Sequence, residues 1–381
     1  MRWLILTGLI FYFCLIPACT STKHDAAIPF FETDKPIVSM GIDDELKRTG
    51  NYQSISTFVV DNNQNTYITD ESRYAVDKYD KNGKYLMSIG GIQSKTVGFP
   101  RWLNVFTVDS RERLIAYCSI EKSFLVFSPD GSEFKTFKLN SDLKKFEIRK
   151  LKTNREDHLY MLGYSRESGA RLFRYDIESG HYNAIHSDQQ HVLNGALILL
   201  PDFALDETGH IYIHPIGDYR IYKYSPQGLR LTVFSKKVEK NRLKKTDCYH
   251  LAGPGKLRKI QGWDEAWEAM NESSRCLPAI FGIHVDGQRM YVWTSRKDKE
   301  KKFLIDVYDL NFQWIGQTSC YNSLLSPMVC IQSGRVVVPD IGTDDHDLKN
   351  AAGWLGLFNF PHKIDVYGIS TTLIRNRVSA R

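Results

Sequence analysis

The 381-residue chain lacks the short motifs that mark the commonest catalytic and metal-binding sites. It has no G-x-S-x-G sequence, no G-x-x-x-x-G-K-[ST] loop and no H-E-x-x-H sequence, so nothing points to a serine hydrolase, a P-loop nucleotide site or a zinc protease. No C-x-x-C pair occurs, which argues against zinc. The net charge is only +6, and no basic run interleaved with aromatic residues resembles a nucleic-acid-binding module, so we expect no nucleic-acid partner.

Cysteine is also scarce, with seven residues in the chain. An odd number argues against a complete disulfide framework. In an exported protein, Cys248 with Cys276 and Cys320 with Cys330 could form bridges. Free buried thiols fit the same residues equally well.

What the chain does have is a repeated pattern. A β-run ends near an Asp, a turn and a Tyr-containing run follow, and an aromatic-bearing run then leads into a Gly turn. The clearest copy covers residues 58–61, 66–68 and 76–83, and a second clear copy covers residues 203–228. A repeat of about 40–50 residues built from four short strands is the signature of a propeller blade.

One aromatic residue of the third strand marks each copy. The six markers are Tyr79, Phe127, Tyr175, Tyr224, Tyr308 and Tyr367. The first four are 48 or 49 residues apart, and the later steps are longer because of two insertions. The pattern predicts an all-β fold, a six-bladed β-propeller, with residues 36–40 as the strand that completes the last blade.

The turn residues agree with this prediction. The third hairpin of a blade needs a residue with positive φ, and a Gly stands there in four copies. These glycines are Gly83, Gly131, Gly180 and Gly228.

The N-terminal residues predict where the protein resides. Arg2 precedes an apolar run that is short for a membrane-spanning helix, and Ala18-Cys19 stands at its end. This resembles a bacterial lipoprotein signal, whose cleavage leaves an acylated cysteine, although an ordinary cleaved signal remains open. We expect a signal peptide over residues 1–18, lipidation of Cys19, a tether over residues 19–35 and a propeller over residues 36–381. Acyl chains on Cys19 would anchor the protein to a membrane of the bacterial cell envelope, for which we favour the outer membrane.

Two insertions belong to one face of the predicted disc. Residues 235–277 lie between blades four and five. Residues 340–362 lie inside blade six, in the loop between its second and third strands. In a propeller, these loops lie on the same face as the connections between blades. Residues 257–272 of the first insertion predict a helix, because Ile260, Trp263 and Trp267 fall on one side. That helix either packs onto the disc or covers the central opening as a lid.

Long loops on one face of a rigid scaffold are a common place for binding, and Arg and Trp are enriched where partners bind. The candidate ligand-binding residues on this face are Arg73, Arg101, Trp102, His214, Trp263, Trp267, Trp293 and Arg296. Residues 343–347 combine three Asp with one His, but their spacing matches no EF-hand loop and favours a polar loop. The sequence therefore predicts no metal site and no cofactor.

The residues carry a family resemblance. Gly98-Phe99-Pro100-Arg101-Trp102, together with the Asp, Tyr and Gly positions of the blades, resembles the NHL/TolB-like six-bladed propellers. With its leader, the chain is similar to six-bladed propeller lipoproteins of Bacteroides-type bacteria. The resemblance implies at most a binding role at the cell envelope. Some NHL-type propellers are lyases or lactonases with an axial metal site, and no ligands of that kind can be placed here residue by residue.

Two functions follow as expectations. The preferred one is a membrane-anchored, non-catalytic binding propeller that holds an envelope protein, a peptide or a glycan on its loop-rich face. The alternative is a metal-dependent hydrolase or lyase with its site in the central channel.

Overall fold

The computed structural model describes thirteen stretches of the chain. They are residues 28–29, 38–40, 55–70, 74–90, 105–165, 167–188, 201–215, 219–237, 279–299, 303–320, 330–332, 335–339 and 364–368.

These stretches form 25 strands, the first two of which, β1 (Ile28–Pro29) and β2 (Val38–Met40), precede the repeats. Sheet one holds β3 (Ile55–Val60), β4 (Thr66–Asp70), β5 (Ala75–Tyr79) and β6 (Tyr85–Gly90). Sheet two holds β7 (Val105–Val108), β8 (Leu114–Cys118), β9 (Ser123–Phe127) and β10 (Phe134–Lys138). Sheet three holds β11 (Glu147–Thr153), β12 (Leu159–Ser165), β13 (Gly169–Tyr175) and β14 (Tyr182–Asp188).

Sheet four holds β15 (Asp202–Leu205), β16 (Ile211–His214), β17 (Arg220–Tyr224) and β18 (Arg230–Ser235). Sheet five holds β19 (Ile280–Asp286), β20 (Arg289–Lys297), β21 (Phe303–Asp309) and β22 (Trp314–Cys320). Sheet six holds β23 (Cys330–Gln332), β24 (Arg335–Pro339) and β25 (Ile364–Gly368). Within every sheet, consecutive strands pair antiparallel in chain order, and the fold is an all-β β-propeller.

The N-terminal strands complete two of the sheets. β2 pairs antiparallel with β25, with Val38 opposite Val366 and Met40 opposite Ile364. This pairing confirms the predicted closing strand within residues 36–40. β1 adds to the outer edge of sheet five, parallel to β22, with Ile28 opposite Thr318.

The first strand of each sheet lies innermost. β3 contacts β7, β7 contacts β11, β15 contacts β19, β19 contacts β23, and β23 contacts β3. Sheets three and four meet through a shared apolar cluster that includes Tyr160, Leu172 and Phe203. Each sheet thus buries its faces against its two neighbours, as sheets with two apolar faces must.

The six aromatic markers all lie on third strands, as predicted. Five of them have described side chains, and all five are buried at 6 % exposure or less: Tyr79, Phe127, Tyr175, Tyr224 and Tyr308. They pack between sheets, as Tyr175 does against Phe124 with ring centroids 5.5 Å apart. The sequence repeat is therefore the repeat of the core.

The recurring Asp and Tyr of the repeat have a structural role. Asp61 Oδ1 accepts from the backbone N–H groups of Asn63 and Asn65 at 2.8 Å, and Tyr67 donates its hydroxyl proton to Asp61 Oδ2 at 3.2 Å. Burial and the Asp61 carboxylate raise the pKa of Tyr67, so its hydroxyl stays protonated and keeps donating. Asp206 and Tyr212 repeat this arrangement in sheet four.

The third hairpins use glycine as expected. Gly228 has φ of +89°, and a Cβ there would lie 3.0 Å from Ile185 of the neighbouring sheet. Gly83, Gly131 and Gly180 also have positive φ. Backbone conformation and close packing therefore both require glycine at position 228.

In the described residues the only helical element is a 3₁₀ turn, Ser141–Leu143, and no helix there could cross a membrane. The predicted helix over residues 257–272 and most of both insertions lie outside the described residues, so the helical insertion has no support from them. Cys19 and the predicted signal and tether, apart from Ile28–Pro29, also lie outside. Cys118 is a buried free thiol, and both suggested disulfides stay predictions.

The closing strand can be tested through Met40, which is 2 % exposed only because β2 packs into sheet six. Met40→Ala should lower the free energy of unfolding by about 3 kcal/mol, the usual cost of emptying a buried large side chain. Leu86→Ala on β6, where Leu86 is 45 % exposed, should change it by less than about 0.5 kcal/mol. Urea denaturation measures both, and equal effects would mean that β2 does not close the sheet.

Candidate functional site

A cavity of about 700 Å³ lies at the centre of the ring. Its lining comes from one inner strand of each sheet. The lining segments are residues 57–62, 105–108 with 110, 149–155, 205–207, 284–287 and Ile331. A volume in this range holds a small-molecule ligand or part of a larger one.

One end of the cavity lies at the face that carries the first and third hairpins of each sheet, which we call the turn face. The opposite face carries the connections between sheets and the insertions, and we call it the loop face. At the turn face the cavity is bounded by first-hairpin residues, among them Asn62, Ser110, Arg155, Glu207 and Gly287.

Polar contacts join neighbouring hairpins around this end. Asn63 donates to Glu112 Oε1 at 2.7 Å between sheets one and two. The Ser110 N–H donates to Asp157 Oδ1 at 2.8 Å between sheets two and three, and Arg155 pairs with Glu207 at 3.1 Å between sheets three and four. The rim of the cavity is thus held in place by its own side chains.

The interior of the cavity, away from the hairpins, is lined by basic side chains. The lining residues there that can carry a charge are Arg149, Lys150, Lys152 and His284. The first three belong to β11, whereas the facing segments of β3 and β7 supply Thr, Phe and Val. The cavity wall formed by sheet three is therefore basic.

A β-bulge places Arg149 in this wall. The register of β11 against β12 shifts between Ile148 and Lys150, so Arg149 is the extra residue. Bulges redirect side chains and are frequent beside functional sites. Arg149 Nη2 donates to Glu147 at 2.7 Å, while its buried Nε has no hydrogen-bond partner among the described residues.

Behind the basic wall, Asp202 links three sheets. Lys150 of sheet three forms an ion pair with its Oδ1. The same oxygen accepts from the N–H of Phe203 at 2.8 Å, and Oδ2 accepts from the N–H of Ile283 of sheet five at 3.3 Å. The Lys150 ammonium also lies 5.7 Å from the centroid of the Phe203 ring.

The charges around Asp202 favour its ionised form. Burial alone would raise the pKa of Asp202, but the Lys150 ammonium and the imidazoles of His284 and His214 outweigh burial and lower the pKa to about 2. Asp202 is therefore a carboxylate at neutral pH. It fixes Lys150 at the cavity wall.

Two of the sequence-predicted site residues, His214 and Trp293, lie near this cluster. His214 ends β16, is 1 % exposed, and donates from Nδ1 to the carbonyl oxygen of Pro215 at 3.1 Å. Trp293 is also 1 % exposed and packs edge-on against His284, with ring centroids 5.0 Å apart. Both side chains lie inside the fold, so neither forms part of an open surface.

Arg296 belongs to a second cluster, between sheets four and five. It donates to both oxygens of Asp306, which also accepts from Tyr219 at 2.7 Å and pairs with Lys236 at 3.3 Å. Lys236 is the first residue of the lysine-rich part of the insertion, and its ammonium lies 4.7 Å from the centroid of the Trp314 ring. This cluster anchors the start of that insertion.

The remaining predicted site residues lie outside the described residues. They are Arg73, Arg101, Trp102, Trp263 and Trp267. The acidic stretch over residues 343–347 lies outside as well. Among the described residues no group of three or more His, Cys, Asp or Glu could hold a metal ion.

The residues of the basic wall are not among the site residues predicted from the sequence. The blade repeat is weak in β11, the first strand of sheet three. The bulge at Arg149 cannot be predicted from residue types. One signal was present: β11 carries Arg149, Lys150 and Lys152 where the corresponding strands β3 and β7 carry Thr, Phe and Val. Lys and Arg are rare on buried strands, so three of them on an inner strand indicate a candidate site.

Asp202 can be tested by acid unfolding. Asp202→Asn should lower the free energy of unfolding by about 3 kcal/mol at pH 7, because a part-buried Lys150 loses its counter-charge. The folded-state pKa lies below the ordinary value, so the stabilisation is complete above pH 4 and is lost as pH falls toward 2, by about 2 kcal/mol. Urea denaturation at several pH values should show the variant and the unaltered protein converging.

Glu133→Gln, an exposed carboxylate on the turn before β10, is the matched control and should change stability by less than about 0.5 kcal/mol. A difference between Asp202→Asn and the unaltered protein that stays constant from pH 5 to pH 2 would contradict the assignment of Asp202 as the ionised partner of Lys150.

Comparison with known proteins supports the fold. The chain matches no protein-family model and no curated protein. Among solved structures it is similar to a Bacteroides fragilis NCTC 9343 protein named as an exported protein, with 14 % identity and a TM-score of 0.51 over 90 % of this chain and 99 % of that one. It is also similar to a member of the DUF4221 family from Bacteroides vulgatus ATCC 8482, with 12 % identity and a TM-score of 0.51 over 87 % and 95 % of the two chains. At such identities the likeness shows a shared propeller fold.

Proposed function

We propose that this protein is a binding propeller of the bacterial cell envelope that holds its ligand at the central cavity. The observation that supports this most directly is the cavity itself, which has one wall segment from each sheet and polar side chains that are fixed by contacts between sheets. A rigid, polar, concave site of this size suits binding. The ligand would be a glycan, a peptide or a segment of an envelope protein.

We infer that the six sheets act as six blades of one ring. In support, successive inner strands contact one another, β23 contacts β3, and β2 completes the last sheet. A ring closed by both ends of the chain keeps the cavity wall rigid, which lowers the cost of ordering the site on binding.

The loop face would contribute to the same site. Both insertions leave the ring on this face, and Arg296 lies near the loop-face end of β20. Arg73, Arg101, Trp102, Trp263 and Trp267 stay further candidates on this face, whereas Trp293 does not, because its side chain is buried. In this arrangement a large ligand contacts the loops and places one part in the channel.

The location of the protein is part of the proposal. The apolar leader followed by Ala18-Cys19 would give a lipid anchor at Cys19, with the propeller held at the membrane surface by the tether. The outer membrane remains the favoured membrane.

A metal-dependent hydrolase or lyase in the channel is the alternative from the sequence. It would have to take at least some metal ligands from residues outside the described part of the chain. No contact among the described residues favours it over binding.

Filling the cavity tests the proposed function. Val60 lines the cavity, is half-buried and belongs to the end of β3. Val60→Trp should abolish or weaken binding at least about tenfold, a change of about 1.4 kcal/mol, because the indole occupies the space that the ligand needs. Binding is measured on glycan and peptide arrays with the labelled protein, followed by titration calorimetry of the best ligand.

Val233→Trp adds the same side chain on the outer strand β18, where Val233 is 43 % exposed, and should leave binding unchanged. Urea denaturation of both variants verifies folding. Full affinity in a folded Val60→Trp protein would reject the cavity as the site.

A further inference from the structure

The lining of the cavity separates charges of opposite sign. Its acidic residues, Asp61, Asp206, Glu207 and Asp286, are all at first hairpins on the turn face. In the interior, every lining residue that can carry a charge is basic. A ligand that enters the interior therefore meets positive charge from sheet three.

The acidic residues at the rim are already engaged. Asp61 accepts from two backbone N–H groups, from the Asn65 amide and from the Tyr67 hydroxyl. Asp206 likewise accepts from two backbone N–H groups, from the Thr208 hydroxyl and from the Tyr212 hydroxyl. Carboxylates that accept this many bonds have little capacity left to compete for a cation in the wall.

The basic residues are engaged unequally. Lys150 is committed to Asp202, and that pair is part of the fold. The Arg149 side chain is 33 % exposed and donates from Nη2 to an exposed Glu147. A guanidinium has five N–H donors, and one carboxylate contact does not use all the terminal ones, so Arg149 is suited to bind two oxygens of one acid group in the cavity.

We propose that the cavity binds its ligand through an acid group, a carboxylate, sulfate or phosphate, held by Arg149 with Lys152 as the second cation. Lys152 stands three residues further along β11, about 10 Å of strand, so the two cations can contact one acid group from different heights of the wall or two groups of one ligand. This inference rests on the proposed function and names the chemical class of the ligand.

The test is titration calorimetry at low ionic strength with three probes, namely glucuronate, inorganic sulfate and inorganic phosphate. At least one probe should bind the full-length protein. Arg149→Gln should weaken that binding at least tenfold, and the double variant Arg149→Gln with Lys152→Gln should weaken it further. Arg149→Lys should bind more tightly than Arg149→Gln but less tightly than the unaltered protein, because a lysine cannot form the paired contact. The probe that binds most tightly identifies the acid group.

The matched control is Lys135→Gln with Lys138→Gln, which removes two exposed cations from the outer strand β10. It should leave binding unchanged. Equal weakening by the control would show that the anions bind only through net charge, and binding that is unaffected by Arg149→Gln would remove Arg149 from the site; either result overturns the inference, as does the failure of all three probes to bind.

The outcomes separate this inference from the proposed function. If Val60→Trp abolishes binding of an array ligand that Arg149→Gln leaves intact, the cavity is a binding site and its acid-group specificity is wrong. If neither variant affects any ligand, both are wrong. Near-ultraviolet circular dichroism of the Arg149→Gln protein verifies that the packing around β11 is preserved.

Discussion

The structure depends on one constraint: a four-stranded sheet with two apolar faces cannot be stable alone, so every sheet needs two neighbours. Asp202 shows how polar groups serve that constraint. One buried carboxylate accepts from Lys150 of sheet three, from its own strand and from the backbone of sheet five. Because its charge is balanced and its oxygens are bonded, it orients three sheets at once. A buried ion pair adds less to stability than apolar packing of similar size, so what the structure shows for Asp202 is the set of bonds by which it joins the three sheets.

Much of the fold could be predicted from the sequence because the repeat is itself the core. Tyr79, Tyr175 and Tyr308 recur because third strands need a large side chain between sheets, and Asp61 and Asp206 recur because they cap the first hairpin. Glycine recurs at the third hairpins, as at Gly228, because the backbone there has positive φ. The closing strand around Met40 could be predicted because a ring needs a last strand and the apolar run before the first repeat was available.

The candidate site could be predicted far less well. Site residues do not repeat, since each inner strand contributes different side chains to one shared space. The position of Arg149 depends on a bulge, and bulges follow from how two strands fit rather than from residue types. His214 and Trp293 illustrate the opposite problem. Polar and aromatic residues near a strand end suggested an open surface, but both side chains are buried inside the fold.

The geometry of the ring also explains why its centre should be polar. Every inner strand stands at the end of its sheet and pairs on one side only, so its other edge faces the cavity. Backbone N–H and C=O groups along that edge need partners, which only water, side chains or a ligand can supply. An apolar ligand would leave these groups without hydrogen bonds. A ligand with oxygen-rich groups could satisfy them, and the acid group that we propose for the ligand would place its charge beside the basic wall of sheet three. The free strand edges and the basic strand would then favour the same kind of molecule.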